Sequence, residues 1–173
     1  MLPEADKIDM PQWKAVGAAW NAPVFVGEFG ARNDLPSTLP FMQAHFDAFD
    51  ALGMSGTEWE YSVSNDLWNS ESDWLVDGAG NELPVAQAVI RPFARAVAGS
   101  AIATGFDTTT GTFTLSYTPG GGVTAISLPA RAYPSGYDVA LEGGCYDATS
   151  VPGQVLVQPD AAATAVALTL TPR

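Results

Sequence analysis

The chain has 173 residues, 47% of them hydrophobic, which is enough to bury a core in one domain or two small ones and too much for a disordered tail. Lys and Arg total 7 against 19 Asp and Glu, and a net charge of -12 repels polyanions, so a nucleic-acid partner is excluded. No run reaches the ~18 apolar residues of a membrane helix, and "MLPEADKIDM" lacks the basic-then-apolar pattern of a signal peptide; no integral membrane span and no address are expected. Cys145 is the single cysteine, so neither a disulfide nor a zinc-thiolate site can form, and it is expected to be an inert core residue.

In chain order, Trp13, Val16 and Trp20 recur at helical spacing. The run "PVFVGEFG" follows and reads as a strand apolar enough to be covered on both faces, as in a parallel sheet. Glu28 stands at its end between Gly27 and Gly30. Leu39, Met42, Phe46, Phe49 and Leu52 then repeat at three and four, with Pro40 near the start of that helix and Gly53 at its end. "MSGTEWEYS", residues 54–62, supplies a second strand, and the loop "SVSNDLWNSESDW" leaves it. Two parallel strands joined by a helix cannot close a core alone, so further structure is expected against them.

Composition changes near residue 92. Beyond it Thr, Val, Gly and Ala dominate in short alternating runs. "GTFTLSYT" puts Phe113, Leu115 and Tyr117 on one face, and "TAVALTLT" does the same with Val166, Leu168 and Leu170. With "VTAISL", "YDVALEG" and "QVLVQ", and turns at Gly120–Gly122 and Pro134–Gly136, about seven strands fit an immunoglobulin-like sandwich. The expected boundaries are 1–92 and 93–173. No cluster of chemically active residues falls in the second part.

Glu28 at one strand end and Trp59 in the next strand are residue types that suit a glycosidase, in which an ionised carboxylate attacks an anomeric carbon and an indole face stacks on a sugar ring. A structural glutamate satisfied at a strand rim is the alternative reading. Glu58 and Glu60 flank Trp59 and share the face opposite to it, toward helices or a polar edge, which makes neither a ready proton donor. "NELP", residues 81–84, sits in the Gly-rich "DGAGNELP" and reads as a solvated turn. His45, the only histidine, belongs to a helix and cannot build a metal site; no metal and no cofactor are expected. Asn65, Asp66 and Asn69 follow Trp59 and can bond sugar hydroxyls or simply form turns. Trp68 and Trp74, with Leu67 and Leu75, line an apolar channel for a lipid aglycone or pack the loop against the sandwich; both readings stand.

From "FVGEFGARND" through "EWEYSVSNDLWN" to "VIRPFARAVAGSAIATGFDTTTGTFTLSYT", the sequence resembles the C-terminal part of family 5 glycoside hydrolases of the endoglycoceramidase type. The likeness runs from about residue 13 to the end and implies the last two βα units of a (β/α)8 barrel, an α/β architecture, followed by an all-β sandwich. It implies Glu28 as the nucleophile and Trp59 as the tryptophan of the sugar subsite; Asn65, Asp66 and Trp68, in the loop that follows Trp59, are the further substrate-binding candidates by their position alone. The activity implied is retaining hydrolysis of the β-bond between a glycan and ceramide, or of simpler β-glucosides of lipids and sterols, in an extracellular setting. The family's acid/base glutamate and its other active-site residues precede the region matched here, so this chain alone is expected to be inactive, its partner being the missing N-terminal part of the barrel. The competing expectation is a non-catalytic sandwich that binds carbohydrate or a partner, with a barrel remnant attached.

Overall fold

The computed structural model describes residues 4–61 and 71–173, which divide into two compact units, Met1–Val89 and Ile90–Arg173. The first is mixed α/β: α1 (Glu4–Ala19), β1 (Phe25–Phe29), α2 (Thr38–Leu52), β2 (Ser55–Glu58) and the single-turn α3 (Ala86–Val89). β1 and β2 pair in parallel, Phe25 with Ser55 and Val26 with Gly56, and α2 makes the crossover between them. α2 ends at Gly53, whose N–H bonds the Asp50 carbonyl, and it buries Thr38, Met42 and Phe49. Met10 of α1, Phe49 and Met54 form a small core joined by Val24, Val26, Phe29, Phe46 and Leu52.

The apolar residues that mark α1 in the sequence are not the ones it buries. Met10 is 3% exposed, whereas Trp13 and Val16 are exposed and Trp20, just past the helix, is 78% exposed. Nor is β1 covered on both faces: Phe25 is 62% exposed, and among the described residues β1 has β2 alone as a strand neighbour. Across the described residues no helix is long and apolar enough to cross a membrane.

The second unit holds two four-stranded antiparallel sheets. With β3 (Phe93–Ala96), β4 (Gly99–Asp107), β5 (Thr112–Pro119), β6 (Thr124–Ser127), β7 (Tyr137–Glu142), β8 (Gly144–Asp147), β9 (Gln154–Pro159) and β10 (Val166–Pro172), the orders are β4-β5-β10-β7 and β3-β6-β9-β8. Phe113, Leu115 and Tyr117 of β5 and Val166, Leu168 and Leu170 of β10 meet Ile126, Val155 and Val157 of the other sheet in one core, each chosen by the alternation of its strand. Tyr133 is buried against them and its hydroxyl donates to the Gly111 carbonyl at 2.8 Å. A single residue, Gly143, passes the chain from β7 to β8 and so from one sheet to the other. Its φ is +79°, and a Cβ there would lie 2.1 Å from the Ala165 carbonyl oxygen, so only glycine fits.

Cys145 is exposed, against the expectation of a core position. It lies on β8, an edge strand in which no residue is fully buried, and its thiol is 3.8 Å from the Gln158 carbonyl.

Candidate active site

Glu28 is the fourth residue of the five in β1, exposed, at the C-terminal end of the strand. Trp59 follows the last residue of β2, and its N–H donates to the Phe29 carbonyl at 2.8 Å. The carboxylate and the indole therefore stand at the same end of two hydrogen-bonded parallel strands. β2 is shorter than its sequence suggested, since the ladder with β1 stops at Glu58, and the Trp59–Glu60 peptide is cis. From Glu60 the chain pairs elsewhere: Glu60 N–H donates to the Asp73 carbonyl at 3.3 Å and Leu75 N–H to the Glu60 carbonyl at 2.9 Å.

The loop after β1 is tied to the same segment. Asn33 N–H donates to the Ser72 carbonyl at 2.8 Å and its side-chain amide to the Trp74 carbonyl at 2.9 Å. Gly30 packs so closely that a Cβ would stand 2.1 Å from the Trp59 carbonyl oxygen and 3.3 Å from Asp73 Oδ2. The end of β1, Trp59 and residues 72–75 thus form one hydrogen-bonded knot. Asn65, Asp66 and Trp68, with Leu67 and Asn69, lie outside the described residues. Trp74 is half-buried and Leu75 is buried.

The alternation around Trp59 turns Glu58 and Glu60 away from the face of Trp59, and for Glu58 the register agrees. Glu58 pairs with Phe29, which packs on His45, Phe46 and Phe49 of α2, so Glu58 shares the helix-facing side of the sheet. Asp73, which no local pattern marked, joins them. Among the described residues, Glu58, Glu60 and Asp73 each keep one buried carboxylate oxygen without a hydrogen-bond partner. Burial pushes the Glu58 carboxyl up to about 7, helped by the charges of Asp73 and Glu60. Burial also raises Asp73, with Glu71 adding to the rise and the Arg32 guanidinium opposing it. Arg32 is itself held by Asp34, at 2.6 Å, and draws that exposed carboxyl below the usual range. Among the described residues no group of His, Cys, Asp and Glu is arranged to hold a metal ion.

The other sequence candidates have ordinary surroundings. His45 is half-buried and its ring stacks on Phe29 with centroids 5.3 Å apart, inside an aromatic cluster with Phe41 and Phe49. Asn81 and Glu82 are exposed in a turn where Asp77 accepts the Asn81 N–H at 2.8 Å and its side-chain amide at 2.9 Å. This is the solvated turn that "DGAGNELP" suggests.

The first unit thus holds a carboxylate and an indole at the ends of two paired parallel strands, and the second holds two antiparallel sheets. Residues 91–171 match the glycoside hydrolase family 5 C-terminal domain. Endo-glycoceramidase II from Rhodococcus sp., solved as its lactosyl-enzyme intermediate, has the same fold over 96% of this chain, with 21% identity and a TM-score of 0.74. The same enzyme in complex with ganglioside GM3 superposes with a TM-score of 0.72 at 21% identity over 96% of the chain. Sterylglucosidase 1 from Cryptococcus neoformans is similar over 95% of the chain, with 16% identity and a TM-score of 0.73. The chain spans 38% of the length of the first of these, 37% of the second and 32% of the third. No curated protein matches in sequence.

Proposed function

We propose that residues 1–92 are the last two βα units of a (β/α)8 barrel, that residues 93–173 are its immunoglobulin-like sandwich, and that the completed protein is a retaining glycoside hydrolase. Its substrate is the β-glycosidic bond of a glycolipid such as a glycosylceramide, met outside the cell. The observation that carries this reading is the pairing of Glu28 and Trp59 at one end of β1 and β2, in a chain whose fold follows endo-glycoceramidase II. That the similar enzyme is captured as a lactosyl-enzyme intermediate supports a covalent route here too.

In this reading a Glu28 oxygen attacks the anomeric carbon while the bond to the aglycone oxygen breaks, and the leaving oxygen takes a proton from a carboxylic acid supplied by the upstream part of the barrel. Water then attacks the glycosyl ester, the same upstream group removes its proton, and Glu28 is released as a carboxylate. Trp59 stacks on the sugar, while Asn65, Asp66 and Trp68 contact its hydroxyls and the aglycone. Glu58 is not the proton donor, in spite of its high pKa, because its register places it on the helix side.

A mechanism-based fluoroglycoside should label Glu28 in the completed enzyme, and Glu28→Ala should lower turnover by at least ~1,000-fold. Trp59→Ala should raise KM more than it lowers kcat, and Glu82→Gln should change neither. The 173-residue chain by itself should release no sugar above a Glu28→Gln control, because hydrolysis with retention needs a second carboxyl group about 5 Å away. Label on any other residue, or steady release by the chain alone, would refute the assignment.

A further inference from the structure

The pairing of β1 with β2 is not regular. Val26 pairs with Gly56 and Phe29 with Glu58, so β1 takes three steps where β2 takes two. One extra residue lies at Gly27–Glu28, which makes a β-bulge. Val26 faces the cluster of Met10, Phe49 and Met54. Strict alternation from Val26 would send Glu28 to that same apolar side and Phe29 away from it. The opposite occurs: Phe29 enters the aromatic cluster with His45, Phe46 and Phe49, and Glu28 is exposed. The bulge is what exchanges them.

Thr57 is the β2 residue opposite the extra step, and its hydroxyl donates to the Gly27 carbonyl. Its neighbour Glu58 pairs with Phe29, and a Cβ on its other neighbour, Gly56, would meet Phe29 and Phe49 at 3.0 Å. Gly56 and Glu58 thus mark the helix side, and Thr57 lies on the same side of the sheet as Glu28. A bulge leaves a residue outside the ladder, and here a side-chain hydroxyl takes hold of that residue's carbonyl.

We propose that Thr57 is a positioning residue, whose hydroxyl fixes the Gly27–Glu28 bulge and so turns Glu28 away from α2 to the open side of the strand ends. This rests on reading Glu28 as the nucleophile. Thr57→Val removes the hydroxyl at nearly constant volume, and Thr57→Ser keeps it. In the 173-residue chain, the Val variant should shift the Gly27 carbonyl and Glu28 amide NMR resonances and speed exchange of the Glu28 and Phe29 amides by about tenfold, the equivalent of one hydrogen bond. The Ser variant should match the wild type in both. In the completed enzyme, fluoroglycoside labelling of Glu28 should slow by about tenfold or more in Thr57→Val and recover in Thr57→Ser.

Unchanged resonances and exchange in Thr57→Val would overturn the proposal, as would altered resonances with an unaltered labelling rate. Should the Val variant unfold, Thr57→Ala set against Thr57→Ser reads the same contrast. Labelling of wild-type enzyme at a residue other than Glu28 would sink the nucleophile assignment, and with it the catalytic meaning of the bulge, while the NMR comparison still decides whether Thr57 holds it.

Discussion

Replacing Glu58 by Gln should abolish most of the pH dependence of stability in the first unit. Glu58 holds its proton up to about pH 7 in the folded chain against an ordinary 4.5, because it is half-buried beside Asp73 and Glu60. Between these two values the folded state binds more protons than the unfolded one, so stability is greatest at the acid end, falls as pH rises through the window, and levels off above it. The full shift corresponds to ~3 kcal/mol at most. Half of the carboxyl still sees water, and screening reduces the expected loss between pH 5 and pH 8 to ~1–2 kcal/mol. Gln keeps the shape, has no proton to lose, and offers its amide to the carboxylate oxygens of Glu60 and Asp73 that lack partners among the described residues. All five tryptophans, Trp13, Trp20, Trp59, Trp68 and Trp74, belong to the first unit, so urea unfolding followed by tryptophan fluorescence reports on that unit alone. Wild type should lose stability from pH 5 to pH 8 and Glu58→Gln should lose much less, the two being nearly equal at pH 5. Parallel pH profiles, or a wild type more stable at pH 8, would refute the reasoning.

Gly30→Ala should cost ~1–3 kcal/mol, since the new methyl would stand 2.1 Å from the Trp59 carbonyl oxygen, a backbone atom that cannot rotate aside; an unchanged fluorescence midpoint would show that the strand ends do not approach as described. Tyr133→Phe should lower the stability of the second unit by ~1–2 kcal/mol through loss of the buried bond to the Gly111 carbonyl, measured by far-UV circular dichroism, and a neutral result would mean that water replaces the hydroxyl.

The parts of the fold that could be read from the sequence are those where one residue's surroundings are set by its neighbours in the chain. Phe113, Leu115 and Tyr117, and likewise Val166, Leu168 and Leu170, alternate without interruption and are buried as the alternation requires. α2 was legible for the same reason, its repeat ending at Gly53. Trp13, Val16 and Trp20 have an equally clear spacing, but a spacing shows that residues share a face, not that anything covers it. The residue type of Cys145 suggests burial, whereas its strand, at the edge of a sheet, allows exposure. At the site, Glu28 and Trp59 were legible as types at strand ends. The bulge was not: "PVFVGEFG" carries no sign of where β1 gains a step on β2, since register is a relation between two segments roughly thirty residues apart. Asp73 joins Glu58 and Glu60 only through the return of the chain after the loop, which no local pattern announces.

The passage at Gly143 bears on how this domain can be cut and rejoined. β7 and β8 are edge strands of different sheets, and one residue with no slack links them. New termini or an inserted module at that junction would separate the two sheets along their shared margin, whereas the turn at Gly120–Gly122, which is exposed, links β5 to β6 with room to spare. A circular permutant opened at Gly121 should therefore fold, and one opened at Gly143 should not, which makes this margin the fixed seam about which engineered or natural rearrangements of the domain must be arranged.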